Sequence, residues 1–257
     1  MKIHGTAKGG ALSKKDFGVA FGGGATFTPT DIDDLYLWYD ATDTDTITRD
    51  GSNRESKWEN KEGTTGHDLL QATSGNQPVF TASGSSGSGN SVIDTASSRF
   101  MQTASAPTAI TQPITVVAVT KFPANDSVSG NNSFLFDCNT SSSDRILLSK
   151  PSLDADDRYA MYSGSDLILN QSGFANAWHY ATLLYNGASS DMRFDGSSVT
   201  TGDVGSNDFQ AIILSWSGTG SNRGWNEEIM HFLIYDKLLS SDEISKIETW
   251  AEEQMNG

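Results

Sequence analysis

The sequence predicts an all-β protein: a two-sheet antiparallel sandwich that ends in one helix and begins with an extended N-terminal arm. From residue 33 onward, ten or more short apolar or alternating runs follow one another, separated by clusters of Gly, Ser, Asn and Asp. Runs of this length and spacing are typical of sandwiches and barrels, whereas alternating strand–helix units need longer helical segments. The 257-residue chain holds 6 Trp, 7 Tyr and 12 Phe, enough aromatic bulk for such a core.

Three segments define individual elements. The run ITVVAVT (residues 114–120) is apolar at both alternating positions, as expected for a strand covered on both faces. The stretch DMRFDGSSV predicts a hairpin whose turn is Asp195-Gly196. Near the end of the chain, Ser240 and Glu243 form a capping box that starts an amphipathic helix. The apolar stripe of that helix consists of Ile244, Ile247, Ala251 and Met255.

Residues 1–30 form a Gly-rich leader, and residues 31–257 are predicted to form the sandwich. Four lysines and one aspartate give residues 1–25 a charge of +3, although the whole chain carries −15. A basic segment in front of an acidic body indicates a separate partner for that segment. We therefore predict a docking arm, with a disordered terminus as the alternative. Its predicted contact residues are Lys8, Leu12, Lys14, Lys15, Phe17 and Phe21.

Composition argues against several classes of protein. A net charge of −15 repels nucleic-acid phosphate. The sequence contains no run of 18 apolar residues, so no membrane span is predicted. The first residues lack the continuous apolar stretch of a secretory signal peptide. The single cysteine, Cys138, allows no internal disulfide framework and is expected to be a small buried side chain.

Three blocks of the sequence together resemble the concanavalin A-like lectin and glucanase sandwich in its laminin-G-like form. The blocks are LYLWYDATDTDTIT, KWENKEGTTGHDLLQATSGNQPVF and NEEIMHFLIYDKLLSSDEISKIETW. The matching positions of the second block are Trp58, Asn60, Gly63, Leu70 and Gln77-Pro78. The third block matches through Ile234-Tyr235-Asp236, Leu239-Ser240 and Glu243-Ile244. The resemblance covers about residues 33–255 and implies a jelly-roll fold, which hosts many functions.

The leader GTAKGGALSKKDFGVAF is similar to the N-termini of tailed-phage virion proteins that carry lectin-like domains. This resemblance implies a particle-surface protein made in the host cytoplasm, without a signal peptide and without disulfides. It implies attachment to capsid or tail proteins through the arm, as a homo-oligomer, with host or environmental glycans as outward partners. The expected roles are head decoration, head fibre or tail fibre. A glycan-degrading virion enzyme and a purely structural capsid-stabilising protein are the alternatives.

Catalytic residues are not expected. The glucanase relatives carry a Glu-x-Asp-x-x-Glu strand, which places an acid and a nucleophile on one face, and this chain has no such pattern. Glu227 and Glu228 are adjacent and so point to opposite faces of a strand. A pair of Glu228 with His231 would need both on one face, which their spacing of three does not give in a regular strand.

A calcium site is a second possibility that the resemblance implies. The stretch DATDTDTITRDG offers Asp40, Asp43 and Asp45 as oxygen ligands, and Ca²⁺ takes six to eight of them. Aspartates in such stretches also close turns onto their own backbone, and we favour that interpretation. A second acidic loop, at Asp154, Asp156 and Asp157, has the same ambiguity.

Glycan binding requires exposed aromatic faces beside planar polar side chains. The stretch SWSGTGSNRGWN is the best candidate, because two tryptophans bracket an amide and a guanidinium. The predicted ligand-binding residues are Trp216, Asn222, Arg223 and Trp225, together with Tyr159 from RYAMYSG. For Trp225, packing in the core is the favoured alternative.

Overall fold

The computed structural model describes residues 26–64, 66–96, 99–104, 109–124, 132–138, 145–151, 158–216 and 224–257. In these residues the chain forms seventeen strands and one α-helix, α1, which spans Ser241–Asn256. The strands are β1 (Leu35–Asp40), β2 (Ile47–Arg49), β3 (Glu55–Trp58), β4 (Leu69–Leu70), β5 (Val79–Thr81), β6 (Val92–Asp94), β7 (Met101–Thr103), β8 (Ile114–Lys121), β9 (Ser133–Asp137), β10 (Leu147–Lys150), β11 (Arg158–Tyr162), β12 (Asp166–Asn170), β13 (Trp178–Tyr185), β14 (Ser190–Phe194), β15 (Ser197–Gly202), β16 (Ile213–Leu214) and β17 (Glu228–Tyr235).

The strands pair into two antiparallel sheets. The eight-stranded sheet has the order β15-β14-β13-β8-β17-β6-β5, and β1 pairs with β17 beside β6. The nine-stranded sheet has the order β12-β11-β10-β9-β16-β7-β4-β3-β2. Neighbours in this order are often far apart in sequence, because the chain crosses repeatedly between the sheets. The predicted two-sheet antiparallel sandwich and its C-terminal helix are therefore confirmed.

The main core lies between the sheets and is rich in aromatic side chains. Trp58, Tyr39, Phe136 and Phe232 are completely buried there. Each fully buried side chain of this kind contributes about 1.5–3 kcal/mol. The central strand β8 is buried at seven of its eight positions. The strand is therefore covered on both faces, as its continuous apolar run predicts.

Two local signals in the sequence produce the elements that they predict. Asp195 and Gly196 both have positive φ angles (49° and 76°), as the tight turn between β14 and β15 requires. At the start of α1, the Ser240 hydroxyl accepts from the Glu243 N–H at 3.4 Å. In return, the Ser240 N–H donates to the Glu243 carboxylate at 2.8 Å, which completes the predicted capping box.

Helix α1 covers the outer face of the eight-stranded sheet. A second apolar cluster fills this interface and includes Trp38, Leu233, Ile247 and Trp250. The chain enters the sandwich on the same side. There Phe27 packs against the cluster, and the Tyr235 hydroxyl donates to the Pro29 carbonyl at 3.0 Å. Residues 26–30, which the sequence assigns to the arm, therefore pack against the sandwich.

No helix of the described residues is long and apolar enough to span a membrane. The α-helix among them, α1, has 16 residues and carries many charged side chains.

Candidate functional site

The two broad faces of the sandwich differ in what covers them. Helix α1 packs on the outer face of the eight-stranded sheet. On the nine-stranded sheet, no helix of the described residues covers the outer face. A ligand that lies across strands would therefore find its surface on the nine-stranded sheet, away from Asp137 and Leu147, which are buried.

One continuous row of side chains crosses that outer face. Strand register aligns one residue from each strand, and alternation places all of them opposite the core-facing residues. The row, called the outer row below, consists of Thr48, Lys57, Leu70, Gln102, Ile213, Asp137, Leu147, Tyr162 and Asp166. Leu70, Gln102 and Ile213 occupy its third to fifth positions, and this stretch is called its centre below. Gln102 is exposed, and the two apolar side chains beside it are half-buried.

A pair of aromatic rings stands next to the centre of the outer row. Trp216 and Phe100 stack with their ring centroids 4.9 Å apart and an interplanar angle of 27°. Both residues are half-buried, like Leu70 and Ile213. Phe100 precedes the core-facing Met101, so alternation places it on the same side as Gln102. We call this pair the aromatic platform.

The backbone around the aromatic platform is held in place on both sides. Phe100 donates its N–H to the Asn76 carbonyl at 3.1 Å and accepts from the Gln71 side chain at 3.2 Å. Ser215 has a φ of 64°, a left-handed conformation that turns the chain directly before Trp216. The Ser215 N–H donates to the Leu135 carbonyl at 2.7 Å, which fixes the turn to β9.

Trp225 anchors this turn and is not a ligand-binding surface. It is completely buried. Its backbone N–H donates to the Ser215 hydroxyl at 3.0 Å, and its indole N–H donates to the Lys121 carbonyl at 2.8 Å. The prediction that Trp225 contacts a glycan is therefore wrong, because the whole ring lies in the core and its donor is already used.

Tyr159 is also a core residue. Its side chain is completely buried and packs against Phe122 at 4.9 Å and Phe194 at 5.5 Å. It alternates with the outward-facing Tyr162, which is half-exposed on the outer row. The sequence places these two tyrosines on opposite faces, and the structure shows that the ligand-binding prediction chose the inner one.

The remaining predicted contacts lie outside the described residues. This applies to Asn222 and Arg223 in the loop that follows Trp216, and to the second acidic loop. It also applies to the predicted docking residues Lys8, Leu12, Lys14, Lys15, Phe17 and Phe21. Of the predicted glycan-binding set, Trp216 is thus the member that the structure places at a half-buried position.

Two of the three aspartates predicted as calcium ligands form ion pairs with a lysine instead. Lys61 Nζ lies 2.9 Å from Asp40 and 3.0 Å from Asp43. Asp45 is exposed, and its N–H donates to the Asp43 carboxylate at 3.3 Å. No group of three or more His, Cys, Asp or Glu side chains in the described part of the chain could hold a metal ion. This geometry does not support calcium coordination by the three aspartates, because Asp40 and Asp43 already pair with a cation of the chain itself.

Hydrogen bonds within the same segment agree with the turn-closing role. Asp40 accepts the N–H and the hydroxyl of Thr42 at 2.9 and 2.6 Å. Burial alone would raise the pKa of Asp40, but the adjacent His231 and the hydrogen bonds from Lys61 and Thr42 outweigh it, and the pKa is lowered. The carboxylate is therefore charged and fully used within the fold.

Glu228 and His231 have separate partners. The Glu228 carboxylate accepts from the Ser85 N–H at 2.9 Å and from its hydroxyl at 2.6 Å. His231 is only 1% exposed, lies 3.3 Å from Asp40 and contacts the Trp250 ring of α1. No acid–base pair joins Glu228 to His231.

The sequence matches no protein-family model and no curated protein. Solved structures share the fold. Domain 4 of AbnA, a GH43 extracellular arabinanase from Geobacillus stearothermophilus solved in complex with arabinotriose, is 10% identical, with a TM-score of 0.56 over 83% of this chain and 98% of that domain. The Trypanosoma rangeli sialidase, solved in complex with sialic acid, is 14% identical, with a TM-score of 0.52 over 87% of this chain.

These likenesses define the class of fold. This chain spans 34% of the length of the T. rangeli sialidase chain but nearly all of the arabinanase domain. At 10–14% identity they show the fold alone, which is that of jelly-roll β-sandwich domains. This fold agrees with the concanavalin A-like architecture that the sequence blocks imply.

Proposed function

We propose that this protein is a non-catalytic glycan-binding protein on the surface of a bacteriophage particle. It would be a head decoration, head fibre or tail fibre protein whose sandwich faces outward. The ligand site would be the centre of the outer row with the aromatic platform. The observation that supports it is the half-buried Trp216–Phe100 stack on the sandwich face that α1 does not cover.

The chemistry of the platform suits a sugar ring. The C–H face of a pyranose or furanose packs against an aromatic ring, while its hydroxyls need planar polar partners. Gln102 supplies both an amide donor and a carbonyl acceptor beside the platform. The likeness to the arabinanase domain solved with arabinotriose adds support, since a domain of this size and fold has held an oligosaccharide.

Trp216→Ala tests the site. We expect an oligosaccharide found on a glycan array to bind at least about tenfold more weakly, because losing an aromatic anchor typically costs about 2 kcal/mol or more. The measurement is isothermal titration calorimetry on protein with an unchanged circular dichroism spectrum.

Trp178→Ala is the matched control. Trp178 is also half-buried but lies on the helix-covered side of the sandwich. The Trp178→Ala variant should bind the oligosaccharide with the affinity of the wild type. Equal weakening in both variants, or no glycan bound by the wild type, would reject the site. Release of oligosaccharide from a polysaccharide, lost in Glu228→Gln, would indicate an enzyme instead.

The second part of the proposal is that the protein attaches to the particle through its basic leader. Residues 26–32 join the sandwich on the side of α1, which is the face opposite the outer row. A particle bound through the leader would thus leave the aromatic platform pointing away from it. The protein would be made in the host cytoplasm and assembled as a homo-oligomer on capsid or tail proteins.

Mass spectrometry of purified particles tests the location. Hundreds of copies per particle would indicate head decoration, and a handful would indicate a fibre or tail protein. Absence of the protein from particles banded on a density gradient would reject the virion role without affecting the glycan site.

A further inference from the structure

The positive charge within the outer row is already paired. Lys57 lies 2.9 Å from the Glu59 carboxylate and 3.0 Å from the Asp68 carboxylate. Hydrogen bonds to Glu59 and Asp68 raise the pKa of Lys57, so the ammonium stays charged and keeps these partners. An incoming ligand carboxylate would compete with two carboxylates that already bind this ammonium.

A second ion pair lies on the other side of the centre. Arg145 donates from Nε to one oxygen of Asp137 at 3.1 Å and from Nη2 to the other at 2.6 Å. The Asp137 side chain is completely buried, and that of Arg145 is 13% exposed. A two-point pair of this kind is strong, and breaking it would leave a buried charge without its partner. This guanidinium is therefore committed to Asp137.

Among the described residues, the charge that remains around the outer row is negative. The outer row and the ion-pair partners of Lys57 and Asp137 together hold two positive and four negative side chains. Arg158 lies on the same face of β11 as Tyr162, four residues before it, and its positive charge leaves the sum of these side chains negative. The whole chain carries −15. The described side chains would therefore repel an anionic glycan.

Between the two ion pairs, the described side chains of the outer row are neutral. Leu70, Gln102 and Ile213 occupy three adjacent strands, with the aromatic platform beside them. Four strand spacings separate Lys57 from Asp137, a span of about 19 Å. This length accommodates a short oligosaccharide laid across the strands.

We infer that the outer row binds a neutral oligosaccharide and discriminates against sialylated, uronate-containing or sulfated glycans. This inference rests on the proposed glycan-binding function and adds the ligand class.

The first experiment compares neutral and anionic glycans of matched length on the full chain. We expect binding only among neutral oligosaccharides, with Kd changing less than about twofold between 50 and 500 mM NaCl, because no ion pair with the ligand is screened. Preference for an anionic glycan, weakened by salt and by Trp216→Ala, would overturn the neutral class but uphold the site. No binding of either class would reject the proposed function itself.

The second experiment places opposite charges at the centre of the outer row. With a neutral ligand, Gln102→Lys and Gln102→Glu should both weaken binding and differ by less than about threefold, since each only removes the amide. With an anionic ligand, Gln102→Lys would bind at least about tenfold more tightly than Gln102→Glu. That divergence would overturn the inference. Gln102 is exposed, so both variants are expected to fold.

Discussion

The carboxyl group of Glu55 has no exposed surface, and neither of its oxygens has a hydrogen-bond partner among the described residues. Burial raises its pKa well above the usual range, and the nearby Arg49 opposes this only in part. A buried carboxylate without hydrogen bonds is costly, so the folded protein holds the proton to a higher pH than the unfolded chain does. Glu55 therefore weakens the fold at neutral pH.

Glu55→Gln should remove this pH dependence. The unfolded carboxyl loses its proton near the ordinary pKa of 4.5, whereas the folded one keeps it, so stability falls as the pH rises above that value. We expect little difference at pH 4 and a more stable variant at pH 8, because the difference grows by about 1.4 kcal/mol for each pH unit over which the folded carboxyl keeps its proton. Urea unfolding at pH 4, 6 and 8 measures this.

Glu253→Gln, at an exposed position of α1, is the control. Its stability should stay within about 0.5 kcal/mol of the wild type at each pH. A Glu55→Gln effect that is the same at all three pH values would contradict the explanation.

Gly205 is required where two loops meet. Its φ is 86°, and a Cβ added there would lie 2.3 Å from the Ser163 carbonyl oxygen. Gly205→Ala should therefore lower the free energy of unfolding by more than about 2 kcal/mol, combining backbone strain with a clash against main chain. Gly173 also has a positive φ, 108°, but nothing within 4 Å of its Cβ position.

Gly173→Ala should cost only the strain, about 1 kcal/mol. Thermal unfolding of the two variants separates the contributions. Equal melting temperatures for Gly205→Ala and Gly173→Ala would show that the contact with Ser163 is relieved at no cost.

At the scale of elements, a bulge in β17 decides which side chains face the helix. The register of β17 against β8 shifts between Ile229 and His231, so Met230 is the extra residue. Regular alternation in the sequence would separate Glu228 from His231. The bulge changes the alternation, and His231 turns toward α1, beside Trp250.

His231 makes the interface between helix and sheet sensitive to acid. Burial and the charge of Lys61 lower the pKa of His231. The charge of Asp40 and the Gln254 side chain act to raise it, but the pKa remains below its ordinary value. Because the folded pKa of His231 lies below its ordinary value of 6.5, the fold keeps its full stability above that pH. The free energy of unfolding then decreases as the pH falls below 6.5. The lowered pKa of Asp40 adds a further loss only below its ordinary value of 3.8.

His231→Asn should reduce the acid sensitivity. The variant will be less stable at pH 7.5, because a smaller side chain leaves space beside Trp250. Its loss of free energy of unfolding between pH 7.5 and pH 5.5 should be smaller than that of the wild type by about 1 kcal/mol. Guanidinium unfolding at the two pH values tests this, and equal losses in both proteins would contradict it.

Elements that depend on neighbours in the sequence were predictable. The turn at Asp195-Gly196 and the capping box of Ser240 and Glu243 each lie within four residues, and both form as expected. The bulge at Met230 was not predictable, because it depends on pairing with β8, which lies more than a hundred residues earlier in the sequence. Local chemistry specifies turns and caps, whereas register requires the whole sheet.

At the scale of the whole molecule, the site is made by long-range pairing. The outer row takes one residue from each of nine strands that come from the whole length of the sandwich, and no local pattern aligns Gln102 with Ile213. Trp216 was identified because an aromatic in a polar loop is informative, but Phe100 and Gln102 carried no such signal. The burial of Trp225 and the Lys61–Asp40 pair likewise follow from contacts that sequence distance hides.

The arrangement of the two faces leads to a prediction about the leader. Residues 26–257 contain both sheets and α1, and the described chain joins the sandwich at Phe27 and Pro29 on the helix side. A chain lacking residues 1–25 should therefore fold with a melting temperature within about 2 °C of the full protein. It should keep its affinity for the glycan, because the aromatic platform lies on the opposite face.

The same truncated protein should fail to bind particles. Particles from a phage lacking the protein, mixed with full-length or truncated chain and banded on a density gradient, measure this. Replacing Lys8, Lys14 and Lys15 together by Ser keeps the length of the leader but removes most of its positive charge, so partial loss of binding, restored at low salt, would show that charge contributes. If the truncated chain unfolds, the leader belongs to the fold; if it still bands with particles, attachment lies on the sandwich itself.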